Sequence, residues 1–252
     1  MGAEAAWLAL AFFAIAAVYA SVGFGGGSSY LAVLAVALTA DTDLMRTTAL
    51  LCNLAVVSGG VALQVRAGHV AWRRFGPFVA LSVPAAYFAA QWRLPPGTYL
   101  LVLGATLLAA AALLAWRTLN AGPTERAFAP RRYAAWTAPA LGGGIGLLAG
   151  AVGIGGGIFL SPVLHHLRWA RAIEIAALAS LFILVNSAAG LLGLWSGGHL
   201  ALDPVLTPGC LLAVVAGGQL GTRLSLRALS PRGLRLGTAA LVGAVGLRLL
   251  WP

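Results

Sequence analysis

Two stretches of this chain, residues 99–116 (YLLVLGATLLAAAALLAW) and 204–221 (PVLTPGCLLAVVAGGQLG), each run for 18 residues without a charged side chain. A helix of about that length crosses the hydrocarbon of a bilayer. A helix also satisfies its own backbone hydrogen bonds, which lipid cannot do for it. Only 9% of the 252 residues are charged and 60% are apolar. A soluble domain carries about 25% charged residues, so this chain lacks the means to coat a soluble fold. It reads as an all-α integral membrane protein.

The net charge is +10, and all 16 basic residues are Arg. They fall mostly in a few loops between apolar runs, as the positive-inside rule expects. No basic face with interleaved aromatics is present, which excludes a nucleic-acid partner. Cys52 and Cys210 lie far apart within apolar runs and read as small buried hydrophobes. No metal-ligand spacing occurs, and no cofactor is implied. The first 20 residues carry Glu4 and no Arg, unlike a signal peptide. They are retained as the first span.

Ten apolar segments can be drawn: 5–20, 28–38, 46–65, 75–91, 98–118, 134–150, 157–167, 172–194, 204–222 and 233–250. The polar stretch 120–133 reads as a linker between a first membrane repeat, 1–119, and a second, 134–252. Self-similarity supports the division. Ser21-Val22-Gly23-Phe24-Gly25-Gly26-Gly27 returns as Ala151-Val152-Gly153-Ile154-Gly155-Gly156-Gly157, its glycines offset by 130 residues. Each motif follows one apolar segment and precedes a short one, a charged turn and three longer segments.

Charge then favours one topology. If each glycine motif turns a hairpin back to its own side and the linker is cytoplasmic, 13 Arg lie inside and only Arg46, Arg93 and Arg248 outside. If each motif instead crosses once, loops 223–235 and 168–172 move outside with their Arg, and the bias is lost. The hairpin arrangement is preferred, with both termini outside. It gives each half a hairpin plus three crossings. That odd number makes the halves inverted-topology repeats, a plan common among secondary transporters.

Three consecutive glycines, each about 1 kcal/mol less favourable than Ala in a helix, predict unwound backbone. Such backbone at membrane depth must be buried in protein or line a wet cavity. The helices restarting near Ser28 and Ile158 would expose unpaired amides and positive dipole ends, which favour an anion. The competing reading of these glycines is close helix packing. The surroundings fit neither nucleotide-loop pattern.

The paired motifs resemble the TauE/SafE family of membrane permeases. So do the stretch Arg46, Asn53, Ser58-Gly59 and the closing Gly217-Gly218-Gln219-Leu220-Gly221-Thr222-Arg223. The second motif extends to Pro162, and the first half has no Pro at the matching place. The resemblance implies a permease of a bacterial inner membrane for sulfite, sulfonates or other organosulfur anions.

The candidate substrate-binding residues are Gly25, Gly26, Gly27, Ser28, Gly155, Gly156, Gly157 and Ile158, with Asn53, Ser58, Asn186 and Ser187 as polar side chains inside long spans. Interhelical hydrogen bonding is the other reading of the last four. Glu174 is either paired with Arg171 or Arg168 at the membrane surface or a protonatable coupling site. No nucleophile–base pair or paired carboxylates suggest catalysis. The expectation is a secondary permease for a small anion, working by alternating access in a lipid bilayer. An anion channel and an intramembrane enzyme are the alternatives. Oligomeric state is not readable from the sequence.

Overall fold

The computed structural model describes residues 2–21, 25–37, 41–120, 133–224 and 231–251. Residues 22–24 of the first glycine motif, nearly all of the linker, and Arg126, Arg131, Arg132 and Arg227 lie outside them. The described residues form ten helices: α1 (Gly2–Ser21), α2 (Gly27–Ala37), α3 (Thr42–Arg66), α4 (Trp72–Ala90), α5 (Pro96–Leu119), α6 (Thr137–Val152), α7 (Gly157–His166), α8 (Ala172–Ser196), α9 (Leu206–Leu224) and α10 (Pro231–Leu250). Each corresponds to one apolar segment. Three of them, α3, α5 and α8, are long and apolar enough to cross a membrane by length and composition; α1, α2, α6, α9 and α10 hold shorter apolar stretches such as Thr137–Val152 and Leu206–Gly221.

α3 starts four residues earlier than its apolar run. The Asp41 carboxylate accepts from Leu44 N at 2.9 Å and caps the helix, satisfying an otherwise orphan amide. The extra turn places Arg46 one turn inside the helix. At α9, Asp203 Oδ1 accepts from the amides of Val205 and Leu206. Those bonds hold its carboxyl below the usual carboxylate range.

Helices of the first 119 residues pack chiefly on helices of the last 120: α4 on α6, α1 on α9, α5 on α10 and α3 on α8. Exchanging α1–α5 for α6–α10 carries these four pairings into one another. Glycine makes the seams. A Cβ on Gly142, Gly146 or Gly150 of α6 would lie 2.1–2.4 Å from the carbonyl oxygens of Phe78, Ser82 and Ala86 on α4. Gly217 and Gly221 of α9 bear the same relation to Phe13 and Ala17 of α1. Small residues at such crossings let backbones approach closely, the main source of packing energy between helices in lipid.

The helix ends gather on two faces. On one, Thr47 Oγ1 of α3 accepts from Ala201 N at 3.3 Å, Thr48 Oγ1 lies 3.5 Å from Thr207 Oγ1 of α9, and Arg46 reaches the end of α4. On the other, Arg74 of α4 meets Glu174 of α8 at 3.5 Å, Tyr133 donates to Leu167 O after α7, and Trp116 of α5 lies 5.1 Å from the His166 ring.

Candidate functional site

The two glycine turns meet in the middle of the molecule. α1 and α6 each stop, the chain turns, and short helices α2 and α7 start again. Gly26 has φ +85° and its equivalent Gly156 has φ +80°, a left-handed conformation that glycine adopts without steric cost. The restart is the same in both halves. The amides of Ser29 and Tyr30 return to Gly26 O at 2.9 and 3.0 Å. Those of Phe159 and Leu160 return to Gly156 O at 3.1 and 3.2 Å. The preceding amides, of Gly27 and Ser28 in α2 and of Gly157 and Ile158 in α7, take no carbonyl partner among the described residues, as expected of the first amides of a helix. Both helices begin one residue earlier than the sequence suggests.

Asn53 and Ile183 hold the turns together. Each is the twelfth residue of a 25-residue helix, α3 and α8 respectively, roughly 16 Å from its start at 1.5 Å per residue. The turns therefore lie at the middle of these spans. Asn53 Nδ2 donates to Ile154 O of the second turn at 3.1 Å. A Cβ on Gly25 would lie 2.7 Å from Asn53 Oδ1, 3.0 Å from Val57 and 3.3 Å from Ile183. One on Gly155 would lie 2.9 Å from Asn53 Nδ2, 2.9 Å from Ser187 Oγ and 3.1 Å from Ile183. One on Gly27 would lie 2.6 Å from Ile154 O. The 130-residue offset thus pairs Asn53 with Ile183 and Val57 with Ser187.

A cavity of about 50 Å³ opens beside the turns. Gly25, Gly26, Gly27, Ser28, Asn53, Ile154, Gly157, Ile158 and Ile183 form its inner end; Val18, Tyr19, Leu114, Arg117, Pro162 and Thr238 complete the wall. All four exposed-amide residues are on that lining. Gly155 and Gly156 lie just behind it. Arg117, in the last turn of α5, donates to Ser161 Oγ at 3.0 Å. The sequence places it only among linker charges, and its closeness to the cavity follows from α5 packing on α7. Tyr19, whose hydroxyl bonds Ser29 Oγ at 2.7 Å, is likewise a lining residue that nothing local announces.

The other polar candidates are placed differently. Ser58 is exposed and donates to Ala55 O of its own helix. Asn186 is buried at the α8–α4 contact, donating to Ser82 Oγ and Phe182 O. Ser187 is buried beside Gly155, its Oγ without a hydrogen-bond partner among the described residues. Glu174 accepts from Arg171 N at 3.0 Å and from Arg74 at 3.5 Å, at the exposed start of α8. A surface pair of this kind contributes about 1 kcal/mol or less. Glu174→Gln is expected to leave transport rate and its pH profile within twofold of wild type; a lost pH dependence in a flux assay would make Glu174 a coupling group instead.

Arg46 is 2% exposed. Its Nη2 donates to Gly150 O and Ala90 O at 2.9 and 2.8 Å, and Asp43 lies 3.7 Å away. Tyr99 donates to Val152 O at 2.9 Å. These two side chains cap the carbonyl end of α6, where a cation also complements the helix dipole. They anchor the helix that delivers the second glycine turn. The sequence places Arg46 at the outer end of its span.

Ten helices, three of them long and apolar enough to cross a membrane, with two backbone turns meeting at a cavity, make the architecture of a polytopic membrane protein. The family model described as "Sulfite exporter TauE/SafE" matches residues 8–249, and the chain belongs to that family. It is also 38% identical, over 252 residues and the whole length of both chains, to "Probable membrane transporter protein y4hK" of Sinorhizobium fredii (strain NBRC 101917 / NGR234). No solved structure matches.

Proposed function

We propose that this membrane transporter is a secondary permease for a small anion, sulfite or an organosulfonate, and that the anion sits between the two glycine turns. The carrying observation is that Gly27, Ser28, Gly157 and Ile158, the first residues of two helices, line one cavity. Each helix start offers about half a positive charge, and backbone donors release an anion more readily than a fixed ion pair would. Family membership supports the choice of sulfur oxyanions.

The two halves are read as inverted repeats. The exchange of packing partners and the gathering of the α3 start with the α8 end support this. The face carrying Arg74, Tyr133 and Arg117 is taken as cytoplasmic, with both termini outside and the inner membrane as the site, on the Arg bias. Alternating access then follows from motion of the short helices α2 and α7, because the glycine seams tie each half to the other along their long helices.

Purified protein in proteoliposomes is expected to take up labelled sulfite well above empty vesicles, without single-channel current. Gly26→Leu and Gly156→Leu should each abolish uptake. Those glycines hold left-handed φ, and a Cβ would lie 3.0 Å from Ile15 in one case and 2.8 Å from Phe182 in the other. Uptake unchanged in both variants would overturn the assignment.

A further inference from the structure

We infer that the cavity selects a small oxyanion that still carries a proton, and that the Asn53 carboxamide oxygen is the acceptor that reads that proton. This rests on the reading of the cavity as the anion site. Asn53 is fully buried and lines the cavity. Its Nδ2 donates to Ile154 O. A carbonyl oxygen can only accept, so this contact settles which amide atom is nitrogen. Oδ1 is then turned toward Gly25, where a Cβ would lie 2.7 Å away, and it has no hydrogen-bond partner among the described residues.

A buried acceptor left unpaired is unfavourable, and a ligand that supplies the missing donor relieves it. A bare oxyanion would instead set negative charge against the negative end of the amide dipole. Beside this acceptor, the amides of Gly27, Ser28, Gly157 and Ile158 are donors only, while the hydroxyls of Tyr19, Ser28 and Thr238 on the wall can donate or accept. The complement of such a set is an anion with several acceptor oxygens and one O–H. The repeat provides no second carboxamide here, because the residue equivalent to Asn53 is Ile183. The cavity's roughly 50 Å³ has room for about four waters, so the ligand is compact.

Two anions separate this idea from simple charge recognition. Hydrogensulfite is a compact monoanion with a proton; chlorate is a pyramidal monoanion of similar size with none. Binding of labelled sulfite to the purified full-length protein, with chlorate as competitor, is expected to show a ten- to hundredfold preference for hydrogensulfite, about the strength of one hydrogen bond to a charged group. Above the pH at which hydrogensulfite loses its proton, affinity for total sulfite should fall about tenfold per unit. Tyr19 and Arg117 are the ionisable side chains on the cavity wall. Their titration would also change chlorate binding, which is expected to stay flat over the same range.

Asn53→Ala should bring the two anions within about threefold of each other. Equal binding of both anions by the wild-type protein, or sulfite affinity that does not follow the hydrogensulfite fraction, would overturn this inference and leave the anion site standing. Asn53→Ala weakening both anions equally would also overturn it, reducing Asn53 to a brace for Ile154. Failure of the wild-type protein to bind either anion would overturn the anion site itself. The wild-type measurements decide the matter even if the variant does not fold.

Discussion

Gly27→Ala is expected to reduce transport at least a hundredfold, although it adds one methyl group. That methyl would lie 2.3 Å from Asn53 Nδ2 and 2.6 Å from Ile154 O. The second contact is with backbone, so a side-chain rotation cannot relieve it. The turns would have to separate, breaking the Asn53–Ile154 hydrogen bond and displacing the amide pairs that face the cavity. Gly157→Ala meets Ile183 at 2.4 Å and should behave likewise. Gly59→Ala and Gly60→Ala are the controls. Their added atoms would meet nothing within 4 Å, and alanine is the better helix former by about 1 kcal/mol. Proteoliposome flux, normalised to protein reconstituted, distinguishes the two groups. Wild-type flux in Gly27→Ala would mean that close apposition of the turns is unimportant.

Arg46→Leu is expected to destabilise the protein by about 2–5 kcal/mol, as two buried carbonyls lose their donor. A clear fall in thermal midpoint in detergent should accompany it. Arg46→Lys should recover part of that loss: it retains the charge, but its compact ammonium cannot reproduce the planar fork. Because α6 ends at the second glycine turn, flux should fall more than the stability of the folded fraction alone would imply. A thermal midpoint unchanged in Arg46→Leu would show that Gly150 and Ala90 do not depend on this side chain.

Much of this architecture was legible beforehand. Apolar runs located all ten helices, since hydrophobic length is a property of the local sequence. The repeated glycines marked where helices break, because glycine's cost in a helix is also local. What escaped were relations between distant helices. Arg46 reads as a charge at the outer end of its span until α6 brings the Gly150 carbonyl to it across 104 residues. Ser58 and Asn186 read either as cavity lining or as interhelical hydrogen bonds, because polar residues in apolar runs need partners. One finds its partner within its own turn and the other on α4. Ile183 announces nothing by its chemistry, and only the 130-residue offset and the geometry pair it with Asn53. Arg117 reads as a linker charge until α5 packs on α7.

The glycine seams also bear on how the protein is made. α1 emerges from the ribosome early, but Gly217, which receives its Phe13 backbone, follows about 200 residues later. At 5–20 residues per second that is a wait of roughly 10–40 s. During it, the partner-facing surface of α1 is covered by lipid or by an insertion factor. α4 waits far less, since α6 is synthesised next but one. Assembly therefore begins around α4 and α6 and closes last at α1 and α9. A chain cut in the linker should yield function only when both fragments are produced in the same cell.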